Sequence, residues 1–254
     1  MASPVKLNPV LMDRIAQART ARRVPIAVLD VDLTLIENAP RTRAILRDYA
    51  QSLAGEWSGA EAASKRVHDM PLVFSIMENL RALGLSDEDH LRGGFEFWKS
   101  TFFTEDYCRR DVPLHGAPRA VEALWREGCT IVYVTARVPQ MLEGTVRSLR
   151  EFGFPIGVVG TVLSMKEAFD QRDGAFKEKA FDWIGQLGEV VLCAENEPAY
   201  ANLMKEAFPN AECVLVDTRH SPDAPPLASG IPRVSSLGRF VTGDEGGRTH
   251  AMEP

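Results

Sequence analysis

Five short apolar runs, at positions 26–30, 130–135, 157–163, 190–194 and 212–217, alternate along the chain with segments of helical periodicity. Strands separated by helices return to the same edge of a sheet and pair in parallel, so this order predicts an α/β protein with a doubly wound parallel sheet covered on both faces. Three of the runs end in groups that an apolar core does not need: Asp30, Thr135 and Glu195. In a sheet of this kind ligands bind outside the carboxyl ends of the strands. The coincidence places a reaction site at that end.

About one hundred residues lie between the first and second runs, with helical periodicity at 41–53, 72–83 and 87–103 and little strand character. A crossover needs only about a dozen residues, so the segment reads as an inserted helical cap over 38–112. The core is then 1–37 and 113–243, with an amphipathic helix at about 9–22 and an unpatterned tail at 244–254 expected to be disordered. A short apolar piece at 231–241 interrupts the Pro-, Gly- and Ser-rich stretch that begins at Thr218. A chain of 254 residues with 45% hydrophobic content can bury one large core plus such an insert. A net charge of −6 gives no electrostatic footprint for nucleic acid or an anionic membrane. Cys108, Cys129, Cys193 and Cys213 show no CxxC spacing, and no run approaches the roughly 20 apolar residues that span a bilayer. A cytoplasmic protein without disulfides is the expectation.

The densest chemistry is in Asp30-Val31-Asp32-Leu33-Thr34. Two carboxylates this close repel, which implies a divalent cation between them. Asp30 suits a nucleophile that attacks phosphorus to give an aspartyl-phosphate, and Asp32 a general acid that then becomes the base activating water. Phosphoryl transfer further needs hydroxyls, a Lys and Mg²⁺ around the phosphate. Thr135, followed by Ala136 and Arg137, can offer a hydroxyl, or can simply be a strand Thr. Lys177 lies near a helix start before the fourth run, with Lys166 and Lys179 as rivals and a solvated surface position as the ordinary reading. Mg²⁺ takes one or two carboxylates and keeps several waters, so Asp30, the backbone carbonyl of Asp32 and Glu195 would suffice. The aromatic residues Phe95, Phe97, Trp98, Phe102, Phe103 and Tyr107 read as the packed face of the insert's helices, with a substrate-gripping wall as the alternative. Arg41, Arg43 and Arg137 read as surface arginines that could alternatively reach a second anionic group. No His pair has zinc spacing, and His115, near the end of the insert, is the one to watch.

Together these residues resemble the haloacid dehalogenase (HAD) superfamily of phosphohydrolases. Its first motif, Asp-x-Asp-x-Thr, falls on Asp30, Asp32 and Thr34; its second on Thr135; its third on Lys177; its fourth on Glu195 with Asn196. The resemblance covers about 24–217 and implies a Rossmann-like core with a helical cap inserted after the first strand. It also implies phosphate or substrate contacts from Thr34, Ala136 and Arg137, and a Mg²⁺ site from Asp30, Asp32, Glu195 and Asn196. Leu33 stands where Gly is common, and Glu195-Asn196-Glu197 replaces a more usual Asp pattern. That leaves open which of Glu195, Asn196, Glu197 or Asn202 meets the ion. The expected activity is hydrolysis of a small phosphomonoester, a nucleotide or polynucleotide end not being excluded. A phosphomutase or phosphotransferase and a catalytically silent binding module are the alternatives, and oligomeric state is not legible.

Overall fold

The computed structural model describes residues 5–242 of the 254. The disorder expected for 244–254 concerns residues outside that range. Six strands form one sheet: β1 (Pro25–Leu29), β2 (Thr130–Thr135), β3 (Thr161–Met165), β4 (Glu189–Glu195), β5 (Glu212–Val216) and β6 (Arg233–Val234). Their order is β3-β2-β1-β4-β5-β6 and every pairing is parallel. All five residues of β1 are buried, as a central strand covered on both faces requires.

Side-chain alternation divides β1 between two cores. Ala27 and Leu29 pack with Leu11 and Ile15 of α1 (Pro9–Thr20) and with Val121 and Leu124 of the helix Ala117–Arg126. Ile26 and Val28 pack on the opposite face with Phe176, Phe181 and Ile184 of the helix Asp173–Leu187 and with Met204 of the helix Pro198–Ala207. α1 starts where Asn8 accepts a hydrogen bond from the Leu11 amide at 3.0 Å and Pro9 takes the first helical position.

Between β1 and the helix Ala117–Arg126 lie five helices: α2 (Ala39–Ser52), α3 (Ala60–Arg66), α4 (Ile76–Leu83), α5 (Glu88–Phe102) and α6 (Glu105–Cys108). They bury an apolar cluster of their own, with Leu46, Tyr49, Leu80 and Leu91 near its centre. At the base of the insert Ile36–Glu37 pairs antiparallel with Val112–Pro113, bringing its two ends side by side. On the core side four later helices follow in order: α7 (Ala117–Arg126), α8 (Leu142–Glu151), α9 (Asp173–Leu187) and α10 (Pro198–Ala207). Among the described residues no helix is long and apolar enough to cross a membrane.

Three elements differ from the sequence expectation. β3 begins at Thr161 rather than 157, because Gly157 and Gly160 take positive φ (69° and 82°) in a turn that apolar Val158 and Val159 disguise. α4 begins at Ile76 rather than 72, where the Ser75 hydroxyl caps the Glu78 amide. β6 adds an edge strand inside the apolar piece at 231–241.

The turn after β1 holds Leu33 at φ 61°, a left-handed conformation that costs a side-chain-bearing residue about 1–2 kcal/mol. Leu33→Gly should therefore be more stable than Leu33→Ala by about 1 kcal/mol, reversing the usual Ala-over-Gly order. Denaturant unfolding of the two variants measures this, and an Ala variant at least as stable as the Gly variant would refute the strain.

Candidate active site

The carboxyl ends of β1, β2 and β4 converge at one cavity of about 580 Å³. Asp30 follows β1 directly, its peptide nitrogen still bonded to the Ala194 carbonyl at 3.0 Å. Its side chain is buried on the α9 face, where Lys177 Nζ donates to Asp30 Oδ1 at 3.0 Å and also binds Glu195 Oε2. Thr34 Oγ1 donates to Asp30 Oδ2 at 2.9 Å. One ammonium thus serves two buried carboxylates. Burial and the nearby Glu195 carboxylate push the Asp30 carboxyl up to about 7, against the opposing pull of Lys177. Burial would discharge Lys177, but Asp30 and Glu195 reverse that and hold it above its ordinary range.

Asp32 does not face Asp30's partners. Arg137 grips it with both arms of its guanidinium, Nε to Oδ2 at 2.7 Å and Nη2 to Oδ1 at 2.9 Å. Arg41 Nη2 and Asn38 Nδ2 reach the same Oδ1, each at 3.3 Å. Behind them Asp111, with a fully buried side chain, accepts from Arg41 Nε at 2.8 Å and from Arg137 Nη2 at 2.9 Å, and also pairs with Arg41 Nη2. Burial alone would raise the Asp32 carboxyl, but Arg137 and then Arg41 outweigh it and hold it well below the usual carboxylate range. Two carboxylates here share two guanidiniums, a balanced set. The repulsion that implied a cation between Asp30 and Asp32 is met instead by separate side-chain cations, and the charge deficit lies only on the Asp30 side.

The surface reading fails for three residues. Lys177, Arg41 and Arg137 are all buried, whereas Arg43 donates to the His68 and Met70 carbonyls inside the insert, away from the site. Of the rival lysines, Lys166 binds Asp173 at 2.8 Å and the Phe169 carbonyl, and Lys179 is exposed beside Glu167. Thr135 and Ala136 line the cavity, with Thr135 Oγ1 accepting from the Arg137 amide at 3.3 Å. Glu195 spends one oxygen on Lys177 and the other on the amides of Asn196 and Glu197 at the start of α10. Asn196 presents Oδ1 3.5 Å from Thr34 Oγ1, the hydroxyl that binds Asp30, while its Nδ2 is held by the Arg219 carbonyl. Asn202 ties down 226–228 instead, Glu197 accepts from the Ser221 amide, and His115 sits in the turn before α7.

Two participants escape the sequence: Asn38, and above all Asp111, whose partners lie 70 and 26 residues away with no periodicity to announce the pairing. The aromatic residues divide. Phe97 packs on Tyr49 at 5.5 Å and Tyr107 donates to Asp48, as helix packing predicts. Phe95, Trp98, Phe102 and Phe103 instead line cavity walls, a correction to the reading of the whole set as packed face. Those rings face the two cavities rather than a neighbouring helix's core.

A six-stranded parallel sheet in this order, flanked by helices, is the fold found in HAD-superfamily structures. The structure superposes on a HAD-superfamily hydrolase of subfamily IA from Geobacter sulfurreducens PCA with a TM-score of 0.54 and 13% identity, covering 85% of this chain and 94% of that one. A candidate phosphatase from Clostridium difficile gives 0.51 and 12%, covering 80% and 89%. Protein Tyrosine Kinase A from Mycobacterium tuberculosis gives 0.50 and 14%, covering 83% and 94%. No family model and no curated protein matches the sequence. Identities this low establish the fold, and the roles of residues rest on the geometry of this chain.

Two measurements test the electrostatics. Asp111→Ala leaves two buried guanidiniums with one carboxylate and should cost about 3–5 kcal/mol in denaturant unfolding; a loss below about 1 kcal/mol would mean the network is not tightly held. Asp30, near 7 when folded against an ordinary 3.8, binds a proton that the unfolded chain releases. The stability it contributes is complete below about pH 4 and lost as the pH rises toward 7. In chelator, Asp30→Asn should therefore gain Tm relative to wild type between pH 4 and pH 8. A pH-independent difference would contradict the raised value.

Proposed function

We propose that the protein is a Mg²⁺-dependent phosphohydrolase of small phosphomonoesters, working through an aspartyl-phosphate on Asp30. The observation that carries this reading is a buried carboxylate oriented by Lys177 and Thr34 at the floor of a cavity, with a second carboxylate, Asp32, beside it under separate control.

The residues present fit a hard divalent ion. Oxygens of Asp30 and Asn196 converge on one hydroxyl, and the Asp30 side carries one carboxylate more than it has cations. Asp30, Asn196 and the backbone carbonyl of Asp32 would hold it, with Glu195 chiefly fixing Lys177. Bound there, Mg²⁺ would neutralise charge on the phosphate and keep Asp30 ionised.

An Asp30 oxygen attacks phosphorus, the bond to the leaving oxygen breaks, and that oxygen takes a proton from Asp32. Asp32 then removes a proton from water, which attacks the phosphorus and returns Asp30. With Arg137 on it, Asp32 is the ionised, base form. A phosphate dianion entering the cavity competes for that guanidinium, and losing it lets Asp32 take up the proton that the first step requires. Arg137 thus serves both the substrate and the acid.

Asp30→Asn should fold normally and lose phosphate release from p-nitrophenyl phosphate by at least about a thousandfold, and chelator should stop the wild type. Near-wild-type turnover in the variant would refute the mechanism. Phosphoryl groups recovered on an added alcohol rather than as inorganic phosphate would assign the same chemistry to a phosphotransferase.

A further inference from the structure

Above the phosphate site the cavity is walled by the insert's aromatic residues, and it adjoins a second cavity of about 460 Å³. The two share Leu33, Asn38, Phe74, Trp98 and Phe102 as a common wall. The rings are set against one another: Trp98 lies 5.0 Å from Phe102 and 5.6 Å from Phe103, and Phe102 and Phe103 meet edge-on at 5.1 Å. The Arg41 guanidinium, fixed by Asp111, lies 4.4 Å over the Phe102 ring and anchors this wall to the core. Phe74 leaves 53% of its surface exposed at the same place, an apolar ring without a full covering.

The charges of these cavities point the same way. Every Lys or Arg lining either one is spent: Lys177 on Asp30 and Glu195, Arg137 on Asp32 and Asp111, and Arg219 on Glu37 at 2.7 Å and Asn38 at 3.1 Å. The outer rim adds Asp173, Glu197 and Asp223. Among the described residues, no Lys or Arg lining the cavities is left over to hold a second anionic group of a substrate, and Glu197 and Asp223 would repel one.

Leu33 is the independent observation. It is buried, lines both cavities, and holds a left-handed conformation that Gly would adopt without cost. A strained side chain between a phosphate site and an aromatic wall is accounted for if it touches the substrate.

We propose that the aromatic compartment takes the alcohol side of the substrate, and that the substrate is a phosphomonoester whose alcohol carries a flat, uncharged aromatic ring. Trp98 and Phe74 contact the ring, and Leu33 seats the link between ring and phosphate. The chemistry rests on the phosphohydrolase reading above; the binding preference does not.

Non-hydrolysable phosphonates separate the two. With wild-type protein and Mg²⁺, calorimetry should give 3-phenylpropylphosphonate a Kd about tenfold or more below that of methylphosphonate, and 3-phosphonopropionate no gain. The ratio of the first two affinities should collapse in Trp98→Leu, which keeps an apolar side chain without a flat face, and shrink in Leu33→Gly. A ratio near one in wild type, a ratio unmoved by Trp98→Leu, or tighter binding of the carboxylate-bearing ligand would overturn the inference while leaving the phosphate site intact. Binding of the phenylpropyl ligand without hydrolysis of 3-phenylpropyl phosphate would instead uphold the inference and remove the phosphohydrolase reading. If neither phosphonate binds, both fall.

Discussion

Charge buried at the end of an apolar sheet must be matched nearby, and in this protein the matching is uneven. Asp30 and Glu195 share the single ammonium of Lys177, whereas Asp32 and Asp111 share the two guanidiniums of Arg41 and Arg137. The surplus of negative charge sits at the end of β1, where Asp30 is pushed up to about 7, and not between Asp30 and Asp32. In the proposed function a cation and a phosphate belong to different halves of this arrangement. The first would relieve the Asp30 side. The second would draw Arg137 from the balanced side and so change the proton on Asp32.

The same network fixes the insert to the core. Arg41 comes from α2, Asp111 from just before the returning ladder at Val112–Pro113, and Arg137 from the loop after β2. Arg41 and Asp111 therefore sit at the root of the insert, next to the two-residue ladder that brings its ends together. Their burial beside Asp32 ties the placement of that carboxyl to that of the aromatic wall, through the Arg41 guanidinium over Phe102.

What the sequence made legible was local. Strands β1, β2, β4 and β5 are continuous apolar runs because parallel strands are buried on both faces, and Asp30, Thr135 and Glu195 stand out because they end such runs. Lys177 is singled out by order along the chain and lies beside Asp30 and Glu195, although its burial could not be read from an ordinary-looking helix start. What stayed hidden was tertiary. Asp111 has no pattern around it, and Arg41 looks like any helix arginine until Asp111 arrives from 70 residues away. Phe97 and Trp98 are neighbours on one helix, yet Phe97 packs inside the insert and Trp98 lines the cavity. Helical spacing says which residues share a face, but not whether a neighbour covers it.

Fold likeness cannot carry the chemistry further, since structures whose names describe a hydrolase and a tyrosine kinase superpose on this chain about equally well. Under the proposed chemistry, hydrolysis and phosphotransfer differ only in whether water or another hydroxyl reaches phosphorus once the alcohol has left. The sheet is silent on the point. The cavity combines an apolar wall of Trp98, Phe102, Phe103 and Leu33 with polar groups such as Asn38, Tyr200 and Ser221. In the proposed hydrolysis the acceptor is water, activated beside Asp32.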